Sequence, residues 1–261
     1  MERIRKEIAE LEDFERKYAF LSSIGVKILK TYDFSQIEGF IKAPDNSLYR
    51  NGIFNFIIKY NLSNYPSQGP ELFLKTKIFH TECSLNGNCC ISFLKDWKTE
   101  NNLLGIISVL YEFFVYQTYN GYGIPRDLFN KDNISKFNET CQVYLDKYAY
   151  KEFNGGYDYL FQNDYTPINL SCDYFTLTFV FIENSKVYQF KIQKNEENMP
   201  ASTYLNRYIG ESNKALISGN KVFHPSVSIK ECLNSKIIFI IPLLIEFSYY
   251  NDVIKKDLNL Q

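Results

Sequence analysis

The sequence has few cysteines, no excess of charge of either sign and no long apolar run, and each lack excludes a class of protein. Six cysteines in 261 residues are far below the density of a disulfide-stapled secreted scaffold. The 29 basic and 30 acidic residues nearly cancel, so nothing predicts binding to nucleic acid or to an anionic membrane surface. The longest apolar run, 237–245, contains Pro242 and is too short to span a bilayer.

The N-terminal residues also lack the apolar segment that a secretory signal needs. Residues 1–5 include several charges, and the first twenty residues are too rich in acidic side chains for a transit peptide. We therefore expect an intracellular protein that is not secreted, with the cytoplasm as the default compartment.

What the chain has in abundance is aromatic and other hydrophobic residues. Hydrophobic residues make up 45% of the chain, and 22 Phe, 21 Tyr and one Trp bring the aromatic share to 17%. This composition can bury a large core and suits extensive contacts with other proteins, and it excludes a disordered chain. The length predicts one large domain or two ordinary ones.

The first part of the chain predicts a helix, a group of strands and two further helices. An N-terminal amphipathic helix is indicated by apolar residues at helical spacing: Ile4, Ile8, Leu11 and Phe14. Segments rich in β-branched and aromatic residues predict strands at 24–31, 38–42, 53–60 and 72–78. Residues 80–99 lose this periodicity, and helical spacing returns at 103–114 and 134–148.

The second part has a different character. A linker rich in Tyr and Asn is expected at 151–171. Strands are predicted at 176–182, 186–192, 215–218 and 236–241, and a helix follows Pro200. A β-β-α-β-β order in so short a segment predicts a small sheet covered by one helix, which is an α+β layer.

Residues 1–150 resemble the core of a ubiquitin-conjugating enzyme. LYRNGIF at 48–54 is similar to the family's Y-x-G-G-x-F, and YPSQGP at 65–70 is similar to Y-P-x-x-P-P. KIFH at 77–80 with GNCCI at 87–91 resembles K-I-x-H-P-N…G-x-I-C-L, and Trp97 lies one residue before the family's tryptophan. The resemblance implies an N-terminal helix, a four-stranded antiparallel meander, a long active-site stretch and C-terminal helices.

Residues 172–247 resemble a ubiquitin-like β-grasp domain, and 248–261 would form a C-terminal tail. NKALISGNKV at 213–222 is similar to the family's R-L-I-F-A-G-K-x-L, and SKIIFII at 235–241 resembles its final strand. The tail has no diglycine for activation, so the resemblance implies a recognition surface rather than a transferable tag. Leu216, Phe239 and Ile241 fall near the family's apolar binding patch, and an equally good interpretation is that some of them face a core.

The resemblance assigns Cys90 as the candidate thioester nucleophile, because it lies ten residues after His80 in the family's register. His80 would be a structural turn residue. The other five cysteines are interpreted as small buried hydrophobes: Cys83, Cys89, Cys141, Cys172 and Cys232. His80, Cys83, Cys89 and Cys90 could in principle ligate a metal, but their spacing does not match a zinc pattern, so we expect no metal and no cofactor.

Three departures from the family pattern favour a degenerate scaffold. Glu82 stands where the family has an asparagine, and an ionised carboxylate there would repel a developing oxyanion. Ser67 and the polar turn at 98–100 replace apolar residues of the family's ligase-binding surface. We therefore expect a non-catalytic interaction or structural subunit of a larger protein assembly. The alternative is an active conjugating enzyme that uses Cys90, with ubiquitin and an activating enzyme as partners, and in that case Glu82 could help to deprotonate an incoming lysine.

Overall fold

The computed structural model describes residues 1–29, 33–115, 134–150, 174–182, 186–210, 214–233 and 237–242. These residues belong to two compact units, one within Met1–Phe161 and one within Gln162–Leu243. We refer to them as the first unit and the second unit. The predicted linker at 151–171 and tail at 248–261 lie outside the described residues, as does Cys172.

The first unit joins an antiparallel sheet to helices on either side of it in the chain. Its described helices are α1 (Glu2–Tyr18), α2 (Phe20–Ser23), α3 (Ser92–Lys95), α4 (Leu103–Phe113) and α5 (Ile134–Tyr148). Its strands are β1 (Val26–Ile28), β2 (Gln36–Lys42), β3 (Ile53–Lys59), β4 (Glu71–Leu74) and β5 (Asn88–Cys89). The strands pair in chain order, each antiparallel to the next, so every pairing is between neighbours in the sequence.

The predicted meander is extended by one strand. The sequence predicts four strands and an irregular stretch at 80–99, whereas β5 lies inside that stretch and pairs with β4 through Leu72↔Cys89 and Phe73↔Asn88. Two residues are too few to leave a periodic pattern, which explains why the pattern missed this strand. β1 begins two residues later than the predicted 24–31, because Gly25 forms a turn with a φ of 63° directly before it. Residues 30 and 31 of that prediction lie outside the described residues.

Helix α1 shows how the first unit combines apolar and polar burial. It buries Ile4, Leu11 and Phe14, as its periodicity predicts, but the fourth buried residue is Glu7 and not Ile8. The Glu7 carboxylate accepts hydrogen bonds from the Tyr65 hydroxyl and from the backbone N–H of Leu103. A polar side chain is therefore buried where two other elements supply donors to it.

The second unit contains a mixed sheet and one helix. Its strands are β6 (Tyr174–Phe181), β7 (Val187–Gln193), β8 (Lys214–Ser218), β9 (Lys221–Phe223) and β10 (Ile237–Pro242), and its helix is α6 (Ala201–Ile209). The strand order is β7-β6-β10-β8-β9. β10 runs parallel to β6 and antiparallel to β8, so the last strand lies between the first and third strands of this unit.

The core of the second unit is almost wholly apolar. Tyr204 and Leu205 of α6 pack in one buried cluster with phenylalanines of β6 and isoleucines of β10. The prediction of four strands and one helix omitted β9, which spans three residues. The predicted α+β class is confirmed. Among the described residues, no helix is long and apolar enough to cross a membrane.

Candidate functional site

The stretch that leads to Cys90 folds back on itself as a small antiparallel loop. The Cys90 N–H donates to the Glu82 carbonyl at 2.8 Å, and the Ser84 N–H donates to the Asn88 carbonyl at 2.9 Å. Between these two bonds, Cys83 and Cys89 form an isolated antiparallel bridge. The loop therefore holds Cys90 at the end of β5, directly across from Glu82. We call residues 80–90 the nucleophile loop.

Gly87 attaches the nucleophile loop to the sheet. Its carbonyl accepts a 2.8 Å hydrogen bond from the Leu74 N–H of β4, and its φ is +90°. A Cβ at this position would lie 2.1 Å from the Leu74 carbonyl oxygen. Only glycine combines this φ with so close an approach to another backbone.

His80 begins the nucleophile loop and is fully buried. Its Nδ1 accepts from the Glu82 N–H at 3.0 Å, and its Nε2 lies 2.9 Å from the Phe113 carbonyl. The imidazole therefore carries its proton on Nε2, and the ring also stacks on Phe113 with centroids 3.6 Å apart. Burial lowers the pKa of His80 to about 3, so the ring is neutral at physiological pH.

A second set of contacts, which the sequence analysis did not foresee, anchors the residue before His80. The buried Tyr49 hydroxyl donates to the Phe79 carbonyl at 2.6 Å, and the Cys141 thiol lies 3.3 Å from the same oxygen. Burial raises the pKa of Cys141 to about 12, so this thiol stays protonated and can donate. The tyrosine of the 48–54 motif was the available signal, because a buried tyrosine needs a partner for its hydroxyl.

Cys90 differs from the other described cysteines in its exposure. Cys90 is half-buried, whereas the other four are buried: Cys83, Cys89, Cys141 and Cys232. Glu82 is 6% exposed, so the residue that replaces the family's asparagine is held inside the protein beside the Cys90 backbone. The structure therefore brings together all three residues that the sequence analysis named for this site: His80, Glu82 and Cys90.

The polar positions that replace the family's apolar anchors are exposed. Ser67 and the turn at 98–100 lie on the surface. Trp97, which precedes that turn, donates from its indole Nε1 to the Pro66 carbonyl at 2.8 Å, and its ring lies against Gly69. Trp97 thus connects the 65–70 loop to the turn at 98–100, so Ser67 and that turn belong to one surface region.

The expected binding patch of the second unit is not exposed. Leu216 is 0% exposed and belongs to the core cluster beside α6, because it points to the same side of the sheet as Ile240. Phe239 and Ile241 alternate with these residues, so they face the other side of the sheet, and they are 3% and 0% exposed. Among the residues that the structure describes, no group of three or more His, Cys, Asp or Glu side chains could hold a metal ion.

Comparison with known proteins assigns the family. The family model described as ubiquitin-conjugating enzyme matches residues 3–147, which is more than half of the chain. The chain belongs to the ubiquitin-conjugating enzyme family. The match begins in α1 and ends in α5, so it includes the whole antiparallel sheet and the nucleophile loop.

Several relatives resemble parts of this chain. A protein named probable NEDD8-conjugating enzyme Ubc12-like, from Arabidopsis thaliana, is 36% identical over 33% of this chain and 46% of its own length. Ubiquitin-conjugating enzyme E2 S of Drosophila virilis is 36% identical over 41% of this chain and 49% of its own length. Ubiquitin-conjugating enzyme E2 22 of Arabidopsis thaliana is 37% identical over 33% of this chain and 35% of its own length. The matches thus span half or less of these relatives.

Proposed function

We propose that this protein carries ubiquitin or a ubiquitin-like modifier as a thioester on Cys90 and passes it only slowly to amines. The observation that carries the proposal is the position of Cys90, a half-buried thiol among buried ones. It lies at the end of β5 and ten residues after the buried His80. A thiol that is to be acylated must reach solvent, and the other four described thiols do not.

The nucleophile loop supports this proposal because it fixes Cys90 through backbone contacts. The Cys90 N–H is bound to the Glu82 carbonyl, and the Glu82 N–H is bound to the buried His80 ring. These bonds fix the backbone of Cys90 independently of the Glu82 side chain. The backbone that presents the Cys90 thiol for loading is therefore in place without the family's asparagine.

Transfer to an amine is the step that Glu82 impairs. Attack by an amine gives a tetrahedral intermediate whose oxyanion needs a hydrogen-bond donor, and glutamate lacks the amide N–H that the family's asparagine offers. The loss of one such donor typically slows the reaction about a hundred- to a thousandfold. The buried carboxylate of Glu82 therefore predicts a long-lived thioester.

The test is to incubate the purified chain with ATP and either ubiquitin or a NEDD8-type modifier, each with its own activating enzyme. We expect an adduct that a reductant removes and that is absent from the Cys90→Ala variant. Cys90→Ser should give a more stable oxyester, which resists the reductant. Cys141→Ser serves as the matched control for a buried cysteine of the same unit and should load normally if it folds.

A second candidate function is a non-catalytic subunit of a protein assembly. It is favoured by the exposed polar residues at Ser67 and at 98–100, which remove the apolar anchors of the family's ligase-binding surface. The same experiment separates the two candidates. The absence of any adduct, with a correctly folded protein and active activating enzymes, would favour the subunit.

We further propose that the second unit is a ubiquitin-like β-grasp domain. Its order β7-β6-β10-β8-β9, with a parallel central pair and one helix packed on the sheet, supports the resemblance of its sequence to that family. The proposed role of this domain is recognition in cis or by a partner. The test is the experimental structure of the unit, in which a different strand order would refute the assignment.

A further inference from the structure

The thiols of Cys83 and Cys89 lie next to each other in the nucleophile loop. The Sγ atoms of Cys83 and Cys89 are 3.4 Å apart, and both side chains are buried. Cys83 immediately follows Glu82, and Cys89 immediately precedes Cys90. The pair therefore joins the segment that contains Glu82 to the segment that contains Cys90.

The strand register independently predicts that these two residues can be joined. The hydrogen bonds Cys90 N–H to Glu82 and Ser84 N–H to Asn88 flank the Cys83↔Cys89 bridge on either side. A pair flanked in this way is a non-hydrogen-bonded pair of an antiparallel ladder, in which the Cα atoms lie about 4.5 Å apart. This separation is within the range of about 4.4–6.8 Å found across disulfides.

We propose that Cys83 and Cys89 are a modification site, at which a peroxide oxidises the two thiols to a reversible disulfide across the nucleophile loop. In the first step a thiol sulfur attacks the peroxide, the O–O bond breaks, and a sulfenic acid and water form. In the second step the other thiol attacks the sulfenic sulfur, the S–S bond forms and a second water leaves. Two electrons pass from the two sulfurs to the peroxide, and a thiol reductant reverses the change. The site exists whether or not Cys90 carries a modifier.

Cys90 is not a member of this pair. Successive residues of a strand point to opposite faces, and the burial of Cys89 with the greater exposure of Cys90 follows that alternation. On the side away from Cys83, Cys89 pairs with Leu72 of β4, and Leu72 is also buried. The disulfide would therefore leave the Cys90 thiol unconsumed while fixing the two segments that hold it.

Burial sets the rate of this reaction. Burial, together with the hydrogen bond to Cys83, raises the pKa of Cys89 well above its ordinary value. At neutral pH this thiol is protonated, and the thiolate is the reactive form. The disulfide should therefore form more slowly than the oxidation of Cys90 and should form faster as the pH rises.

The experiment is a peroxide titration of the full chain, followed by alkylation under denaturing conditions and tryptic digestion. Residues 78–95 form one tryptic peptide, which contains Cys83, Cys89 and Cys90. In the Cys90→Ser variant, we expect this peptide to lose the mass of two hydrogen atoms and to carry no alkyl group. A reductant should restore two alkylated cysteines, and Cys141 and Cys232 should stay alkylatable throughout.

Two further variants locate the bond. Adding Cys83→Ser or Cys83→Ala to Cys90→Ser should abolish the loss of mass, and two different side chains guard against a folding defect of either one. The proposal is overturned if Cys83 and Cys89 remain fully alkylatable in Cys90→Ser at raised pH and at peroxide doses and times far beyond those that oxidise Cys90 completely in the unmodified chain. It is also overturned if the disulfide of the unmodified chain joins Cys90 to either neighbour.

Discussion

The two units differ most in what they bury. Among the described residues, the first unit buries nine polar or charged side chains, whereas the second unit buries Ser218 alone. The nine lie in α1, in the sheet and its connecting segments, in the nucleophile loop and in α4: Glu7, Ser47, Asn55, Thr76, His80, Thr81, Glu82, Ser108 and Glu112. The first unit thus combines its apolar core with buried polar contacts, whereas the core of the second unit is almost wholly apolar.

The two sheets differ in the same sense. The first sheet pairs its strands in chain order, so the loops that connect neighbouring strands can carry polar residues. The second sheet places β10 beside β6, and this long-range pairing is held by a continuous apolar cluster. Three pairs of substitutions test this contrast between the two units. Trp97, the single tryptophan, lies in the first unit and reports its unfolding.

The largest effect is expected at Glu7. Glu7→Ala would leave the half-buried Tyr65 hydroxyl and the buried Leu103 N–H without their acceptor. Each donor left unsatisfied costs about 1–3 kcal/mol, so the two together should cost about 4 kcal/mol. The measurement is urea denaturation followed by Trp97 fluorescence. Glu10→Ala on the same helix is the control, since its pair with Lys6 is exposed and should be worth less than about 0.5 kcal/mol.

The matching change in the second unit is Ser218→Ala. The Ser218 hydroxyl donates to the Cys232 carbonyl, and the loss of one neutral hydrogen bond costs about 1 kcal/mol. Hydrogen exchange of the amides of β10 is the measurement for this unit. If Ser218→Ala cost as much as Glu7→Ala, the contrast between the two units would be wrong.

The next effect compares two glycines that both have a positive φ, 90° at Gly87 and 76° at Gly210. At Gly87 a Cβ would meet the Leu74 carbonyl oxygen at 2.1 Å, whereas at Gly210 nothing lies within 4 Å of it. Gly87→Ala should therefore cost about 3 kcal/mol from strain and overlap together, and Gly210→Ala about 1 kcal/mol from the positive φ alone. Trp97 fluorescence and amide exchange in α6 measure the two costs. Equal costs would mean that the nucleophile loop is not held against β4 as described.

A smaller effect is the pH dependence that His80 gives to the first unit. Its folded pKa of about 3 is below the unfolded value of about 6.5, so between these values the unfolded state binds the additional proton. Stability from this group is complete above pH 6.5 and falls as the pH is lowered, by about 2 kcal/mol between pH 7 and pH 5. His80→Gln should remove this part of the slope, and His224→Gln should not. An unchanged slope in His80→Gln would contradict a buried neutral imidazole.

Much of the fold could be predicted from the sequence because its signals are local. The four longer strands of the first unit, the helices α1, α4 and α5 and the β-β-α-β-β order follow from period and turn residues. The strands β5 and β9 have two and three residues, too few to show alternation by themselves, whereas β1, also of three residues, lies in a longer segment rich in β-branched residues. The burial of Glu7 in place of Ile8 depends on donors from distant segments, which periodicity does not report.

The candidate site likewise has features that the sequence predicts and features that depend on contacts between distant segments. The resemblance places Cys90, Glu82 and His80 in one register, and the structure brings them together. The Cys83–Cys89 pair was interpreted as two separate buried hydrophobes, because its closeness depends on the register of β5. The Asn86–Gly87 turn midway between these cysteines was the signal that could have suggested a hairpin. For Leu216, Phe239 and Ile241 the sequence left a binding surface and a core as equal interpretations, because similarity does not report which side of a sheet is covered, and the structure buries all three.

The most direct test of the proposed activity is the rate at which the Cys90 thioester is lost to free lysine in a single turnover. The unmodified chain should discharge slowly, and Glu82→Asn, which restores a donor at the oxyanion, should accelerate discharge about a hundredfold without changing the extent of loading. Equal discharge rates in the two proteins, or no thioester on Cys90 in either, would contradict the account.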